Sequence, residues 1–355
     1  MSEPGLREVE HEITVEAPAP AVHQLIADVG TWPGVFPAAV HAESVPAGPG
    51  AEDIRVWAVA NGQAKTWTSH RTLDAGRLRV TFAQHTPAPP AAVMRGSWTV
   101  VPLGASRCRV RLLHAYRALN DDTDALAWIG AAVDRNSRGE LDAVKRAAED
   151  GRGNTGWTFS FEDRLRVDAP AADVHGFLDG ADQWPRVLPH VLSARLTEAT
   201  SRLRKLTLDV RGADGSVRTV TSYRVSDPCR RITWKQTPLP ALMSLHTGQW
   251  TITPAPGGGV WAAARHTVTL DPGAVAAAAG PGASPGDARR HLRTLLRTDS
   301  RATLVHARDH AEARERARRA ARPPRPSPAA PPDAGAGTGA GTVAGVVRGL
   351  TKAGM

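Results

Sequence analysis

Two short stretches of this chain carry groups that could do acid–base or oxyanion chemistry, and they match each other. One is Thr66-Trp67-Thr68-Ser69-His70-Arg71; the other is Thr219-Val220-Thr221-Ser222-Tyr223-Arg224. In a strand, alternate side chains share a face. Ser69 and Arg71 then point one way with Trp67, and Ser222 and Arg224 with Val220. A guanidinium among such neighbours belongs either to a wetted surface or to a wet pocket, where it can stabilise a developing oxyanion. Its recurrence in both halves favours two pockets that each want one guanidinium. The alternative is that Arg71 and Arg224 close structural ion pairs.

Two imidazoles recur in the same way. His114 falls on the apolar face of Val110, Leu112 and Tyr116, while Arg109 and Arg111 take the opposite face. His266 follows Ala262 and Ala264 in the same rhythm. An imidazole there suits proton transfer, although His114 taken alone reads more readily as a satisfied core histidine. Facing walls come from Val80, Phe82 and Gln84, matched by Ile232, Trp234 and Gln236, and from Trp98, matched by Trp250. Helical spacing puts Leu126, Ile129, Val133, Asn136 and Val144 on one stripe, with Asn136 as its polar member. Asp299 takes the corresponding place among Leu292, Leu295 and Ala302.

The elements that must position these groups are themselves duplicated. A shift of 152 carries Ala17-Pro18 onto Ala169-Pro170, Trp32-Pro33 onto Trp184-Pro185, Gln84 onto Gln236, Gly96 onto Gly248 and His114 onto His266. That period is too long for a solenoid, so the expectation is two similar globular domains over 1–150 and 157–321. Residues 151–156 read as a linker, and 322–355 as a disordered Pro/Ala/Gly-rich tail. Within the tail, Val343–Leu350 has the pattern of a short helix for a partner.

Each half reads as a strand, short helical pieces, a run of antiparallel strands and one long helix. In the first half the strands are Val9–Glu16, Val40–Val45, Ile54–Asn61, Lys65–Leu73, Arg77–Gln84, Ser97–Val101 and Arg107–Tyr116. A short helix at Ala21–Val29 and a long one at Asp121–Ala148 complete it. His85–Ala91, with three prolines, reads as a loop. In the second half a Gly/Pro-rich insertion, Gly280–Gly286, precedes the last helix, Asp287 to Arg319. The order fits an α+β fold in which a curved antiparallel sheet wraps a C-terminal helix and leaves a cavity between the layers.

Composition narrows the function. A hydrophobic content of 41% can fill real cores in a chain of 355 residues, so the chain is not wholly disordered. No apolar run is long enough to cross a membrane as a helix. The opening Met1-Ser2-Glu3-Pro4-Gly5 is not a signal sequence, and a cytoplasmic protein is expected. Cys108 and Cys229 read as free thiols without a zinc pattern. The net charge of +9 concentrates between Arg289 and Arg325. It reads as a solvated basic helix or a docking face for an acidic protein, ahead of a nucleic-acid site, because no aromatics interleave with it. Phosphate-binding loops, dinucleotide fingerprints, nucleophile elbows, metal-ligand clusters and paired glycosidase carboxylates are missing from the sequence. No cofactor is expected.

The Glu10-x-x-x-x-Val15-x-Ala17-Pro18 opening, Trp32-Pro33-x-x-Phe36-Pro37, Trp67-x-Ser69-x-Arg71 and the late Asn136 resemble the aromatase/cyclases of bacterial type II aromatic polyketide synthesis. Two copies in one chain resemble the di-domain members. The resemblance covers about residues 8 to 320. It implies a helix-grip, START-like fold in each half and a pocket receiving a poly-β-ketone from an acyl carrier protein, among other synthase subunits. It implies first-ring aldol cyclisation, with C7–C12 regiochemistry, dehydrative aromatisation of that ring, or both. Arg71 matches the family's pocket arginine. Ser69, Trp67, Trp32, Phe36, Met94, Trp98 and Asn136 match its lining, and His114 a proposed acid/base. In the second half Arg224, Ser222, Trp184, Trp250 and His266 match, whereas Val220, Leu188 and Asp299 replace Trp, Phe and Asn. Ala39 stands where some single-domain relatives carry Tyr. A hydrophobic-ligand carrier of the same fold is the alternative function; it would bind without turnover.

Overall fold

Two seven-stranded antiparallel sheets, each closed over by a long helix, account for the duplication. The computed structural model describes residues 5–60, 62–150, 156–200, 202–212, 215–279 and 284–321. The first half runs β1 (Arg7–Val15), α1 (Ala19–Ala27), a 3-10 turn, α2 (Trp32–Val35), β2 (Ala39–Gly48), β3 (Ala51–Ala60) and β4 (Gln63–Asp74). It continues through β5 (Arg79–Gln84), β6 (Ala91–Gly104) and β7 (Arg107–Ala118) to α3 (Thr123–Asp150). The second half runs β8 (Thr158–Val167), α4 (Ala171–Asp179), a 3-10 segment (Ala181–Arg186), β9 (Val191–Thr200), β10 (Leu203–Arg211) and β11 (Val217–Asp227). After β12 (Arg231–Gln236), β13 (Met243–Pro254) and β14 (Val260–Leu270) come α5 (Pro272–Ala279) and α6 (Pro285–Ala320).

Strand order is β1-β7-β6-β5-β4-β3-β2 and, identically, β8-β14-β13-β12-β11-β10-β9. The first strand of each half therefore pairs with the last, and hairpins build the rest. Local sequence explains the entries to the helices. Pro20 and Pro285 sit in first turns, where the missing N–H costs no hydrogen bond. Asp122 caps α3, its Oδ1 accepting from the N–H groups of Asp124 and Ala125 at 2.9 Å each.

Period-two alternation then sorts the faces. Val80, Trp98, Val100, Val110 and Leu112 turn inward to meet Leu141, Val144 and Ala148 of α3 in one core. Ile232, Trp250, Ile252, Ala262 and Ala264 meet Leu304, Ala307 and Ala311 of α6 in the same way. Each fully buried large apolar side chain contributes roughly 1.5–3 kcal/mol. Outside, Arg109 and Arg111 pair with Glu12 and Glu10 at 3.7 and 2.6 Å.

The halves dock through outer faces. Val40 and Trp57 of the first sheet pack on Leu203, Tyr223 and Val225 of the second. Arg202 stacks over Trp57 at 4.9 Å and reaches Glu43 at 3.2 Å.

Several boundaries differ from the sequence reading. Strand β6 begins at Ala91, well before Ser97, because Gly96 continues the ladder rather than breaking it. Helix α5 was not anticipated: Ala-rich Pro272–Ala279 lacks an amphipathic period. Residues 151–155 of the expected linker, 280–283 of the insertion and the tail from 322, with Val343–Leu350, lie outside the described residues. The basic helix α6 is largely balanced within the chain. Arg297 pairs with Asp163, Arg314 and Arg318 with Asp173, and Arg319 with Glu315. Among the described residues no helix is long and apolar enough to cross a membrane.

Candidate active site

Each short helix that follows the first strand ends against a buried arginine. Arg71 Nη2 donates to the carbonyls of Ile26 and Ala27 at 3.0 and 3.1 Å, at the end of α1. Trp32 Nε1 donates to the same Ile26 carbonyl at 3.2 Å, and the guanidinium lies 5.1 Å over its ring. The second half repeats the unit. Arg224 Nη2 donates to Leu178 O at 2.6 Å, Trp184 Nε1 to Phe177 O at 3.1 Å, and guanidinium and indole are 5.6 Å apart. A cation at the carbonyl end of a helix satisfies acceptors that have no partner inside the helix. Both arginines are 1% exposed. The strand faces expected from sequence are present, and the two guanidiniums are buried and held by backbone carbonyls at the end of each short helix.

Their counter-charges differ. Across the ladder from Arg71 stands Glu52, with Nη1 3.1 Å from Oε1, an ion pair too poorly aligned to be a hydrogen bond. Across from Arg224 stands Arg204, which turns to Asp179. Arg224 Nη1 is buried without a partner. Burial first, and Arg204 second, push the Arg224 guanidinium down to about 9.

The inward imidazoles also differ. His114 lies 5.4 Å from the Phe82 ring, and its Nδ1 is 3.2 Å from Ser137 Oγ. Burial pushes it down to about 4, helped by nearby His11, so it is neutral at pH 7. His266 is stacked on Phe161 at 4.9 Å and joined to His246, Nδ1 to Nε2, at 3.1 Å. His246 Nδ1 in turn meets Gln236 Oε1 at 2.6 Å. The Gln236 oxygen can only accept, so Nδ1 of His246 carries its proton and Nε2 accepts from His266 Nδ1–H. That leaves a bare lone pair on His266 Nε2, which is buried without a partner. Burial pushes His246 to about 3 and His266 to about 4. Trp234 stands edge-on to both rings. Gly96 and Gly248 permit these walls, because a Cβ would lie 2.6 Å from the Phe82 ring or 2.3 Å from the Trp234 ring.

Trp32, Phe36 and Trp98 form one aromatic chain, with centroids 5.3 and 6.3 Å apart. Met94 packs against Leu126, Ile129 and Val133 of α3. Ser69 is buried beside Arg71, and Ser222 and Trp67 are half-buried. Trp184 and Trp250 join the second core.

The helix stripe needs correction. Asn136 is exposed, at the flank of α3, and Ser137 is fully buried in its place. The buried sequence is Val133, Ser137, Leu141 and Val144, and spacings of four and three put Glu140 in its middle. Sequence reading missed Glu140, although the intervals 133–137–140–144 would have found it. Its carboxyl is enclosed by protein yet keeps contact with solvent, has no partner among the described residues, and is raised by burial to about 7. The same position in α6 is Thr303, whose hydroxyl donates to Asp299 O at 3.0 Å. Asp299 itself meets Arg218 at 2.6 Å and is raised by burial, with Arg218 opposing. His246 was missed too; the 152-residue shift lays it on Met94.

Two surface grooves, one along Thr294, Arg297, Thr298 and Arg301 and one between β1 and α3, contain neither Arg71 nor Arg224. Among the described residues no cluster of His, Cys, Asp and Glu could hold a metal.

A duplicated grip with a buried arginine, an inward imidazole and aromatic walls narrows the family, and comparison with known proteins decides it. The model of the polyketide cyclase/dehydrase and lipid transport family matches residues 7–149 and again 158–312. The chain belongs to that family. It is 46% identical to the granaticin polyketide synthase bifunctional cyclase/dehydratase of Streptomyces virginiae over 257 residues, 71% of this chain and 83% of that one. It is 40% identical to the actinorhodin polyketide synthase bifunctional cyclase/dehydratase of Streptomyces coelicolor, over 80% of this chain and 90% of that one. The crystal structure of the di-domain ARO/CYC BexL from the BE-7585A pathway has a TM-score of 0.81 and 49% identity, covering 86% of this chain and 99% of that one. The di-domain ARO/CYC StfQ from the steffimycin pathway gives 0.77 and 33% with the same coverage. The chain thus shares the di-domain architecture of these structures along its described length.

Proposed function

We propose that the protein closes and aromatises the first ring of a carrier-protein-bound poly-β-ketone, with C7–C12 regiochemistry, and that its two grips take different steps. The observation that carries this reading is the pairing of a buried arginine with a neutral inward imidazole in each half, in opposite electrostatic settings. Ring closure removes a proton from a methylene between two carbonyls and forms a carbon–carbon bond to a second ketone. The ketone oxygen becomes an alkoxide and takes up a proton. Arg224, with Nη1 free and no carboxylate opposite, suits the enolate or alkoxide oxygen, and the Nε2 lone pair of His266 suits the methylene proton. Holding both reacting carbons in one fold of a flexible chain contributes several kcal/mol more.

Dehydration loses the new hydroxyl with a neighbouring proton as water. It needs an acid for the leaving oxygen and a base for the carbon. In the N-terminal grip Glu140 is raised to about 7 while His114 is lowered to about 4. A carboxyl still protonated near neutrality, one helical turn from the Ser137 that meets a neutral imidazole, offers one of each. Arg71, neutralised by Glu52, suits a neutral carbonyl better than an anion.

The test is product analysis with a reconstituted minimal synthase, with and without a ketoreductase. Wild type is expected to give a single aromatised first ring. Arg224→Ala is expected to lower ring closure by about 10²-fold or more, and Arg71→Ala to let cyclised, hydrated product accumulate. If neither variant alters the profile while a polyketide mimic still binds, the chain carries its ligand without turning it over.

A further inference from the structure

We propose that Lys235, on the outer face of the C-terminal sheet, is a positioning residue for the N-terminal grip. The inference rests on the cyclase/dehydratase reading of that grip. Lys235 Nζ donates to three carbonyls of the other half: Pro33 at 2.8 Å, Phe36 at 2.9 Å and Ala39 at 3.1 Å. These surround the end of α2 and its turn into β2. An ammonium has three N–H donors and no acceptor, so the three carbonyls use its full capacity. The side chain is 6% exposed.

The arrangement is costly for a merely stabilising contact. Burial pushes the ammonium down to about 7, and a buried cation is weak evidence for net stability. The corresponding residue of the first half, 152 positions earlier, is Ala83, which is exposed. Arg202 and Arg231, on the same interface, reach the Glu43 carboxylate at 3.2 and 3.7 Å. Of these three, Lys235 alone donates to backbone of the other half.

What it grips leads to the site. Phe36 packs edge-on to Trp32, and Trp32 underlies the Arg71 guanidinium. Two contacts therefore separate the clamped segment from the arginine, and Phe36 also faces Trp98. The second half has the same local backbone bonds. Leu188 N donates to Trp184 O at 2.7 Å and Val191 N to Leu188 O at 3.0 Å, as Phe36 N does to Trp32 O at 2.8 Å and Ala39 N to Phe36 O at 3.1 Å. Among the described residues no lysine holds that second segment. The N-terminal aromatic wall is thus set from the neighbouring domain, whereas the C-terminal wall is set from within its own.

The experiment compares the full chain with Lys235→Met, using Arg231→Ala as a control on the same interface. Amide hydrogen exchange at Phe36 and Ala39 is expected to quicken at least about tenfold in Lys235→Met, with Leu188 and Val191 unmoved. Dehydration by the N-terminal grip, read with Arg224 intact as the ratio of aromatised to cyclised hydrated product, is expected to fall about tenfold. The product supported in an Arg71→Ala background stays at its own level, and Arg231→Ala matches wild type throughout. Unchanged exchange at Phe36 overturns the proposal. Equal quickening at Leu188, a sign of global loosening, overturns it as well, and so does quickened exchange with N-terminal turnover intact. A wild-type chain that turns over nothing refutes the cyclase reading instead, and the exchange pattern still decides whether Lys235 clamps.

Discussion

The two grips share a backbone plan and an Arg–Trp–helix unit, but differ wherever a charge or proton is at stake. Opposite the buried arginine the first has Glu52 and the second Arg204. On the helix face the first has Glu140 and the second Thr303. Beside its imidazole the second has His246, where the first has Met94. On the function proposed above, those three exchanges turn an internally neutralised site with a proton donor into an anion-seeking site with a bare base. The lesson is that a duplicated fold diversifies at the partners of its functional groups, while the groups themselves are kept. A pocket's chemistry therefore follows from what stands across the strand or one helical turn away.

Breaking the comparison at Glu140 should have the largest effect. Glu140→Gln keeps the shape and removes the transferable proton, so dehydration is expected to slow about 10²–10⁴-fold, with ring closure spared. The wild-type carboxyl is protonated below about 7 and ionised above it. The dehydration rate is therefore expected to fall as pH rises through about 7, and that limb should vanish in Glu140→Gln. Separate assay of cyclised hydrated and aromatised products against pH checks both expectations. A retained limb would reassign the proton donor.

How much of this was legible in the sequence follows from what alternation and duplication can encode. Strand faces were legible, because Ser69-x-Arg71 and Val110, Leu112 and His114 alternate over long ladders with one face buried. The partners of the arginines were not, since pairing Glu52 with Arg71 or Arg204 with Arg224 requires strand register. Helix α3 misled for another reason. Its stripe carries both Ser137 and Glu140 among apolar residues, so a search for one polar residue stops at Asn136, which matches the family pattern but sits on the flank. The Lys235 clamp was illegible, because it joins an outward strand position to backbone 196 to 202 residues away.

Copying the first grip's counter-charge into the second sharpens the comparison with a smaller effect. Arg204→Glu puts a carboxylate opposite Arg224, as Glu52 stands opposite Arg71. Arg224 should then be neutralised in the ground state, and ring closure should slow about tenfold. Arg204→Gln, which removes the neighbouring cation without adding an anion, should change the rate far less. Single-turnover cyclisation by both variants separates a charge effect from lost packing. Equal slowing in the two would mean that Arg204 matters through its contact with Asp179.

The smallest effect is expected from His246→Met, which installs the first grip's Met94 in the second and is read as stability against pH. His246 and His266 titrate at about 3 and about 4 in the folded protein, against roughly 6.5 in an unfolded chain. Below about 6.5 the unfolded state binds more protons than the folded state. Their contribution is therefore fully present above that pH and is lost as the medium is acidified toward 4. Each imidazole adds a slope of up to about 1.4 kcal/mol per pH unit in that window. His246→Met removes one of the two, so its urea midpoint should decline less steeply than that of wild type between pH 6 and 4.5, and the two should run parallel above pH 7. His266 also loses the acceptor for its Nδ1–H and with it the fixed tautomer, so cyclisation should slow modestly while dehydration holds. A variant with the wild-type acid slope would show that His246 is already protonated in the fold. The Gln236–His246–His266 chain would then present a donor where a bare nitrogen is required.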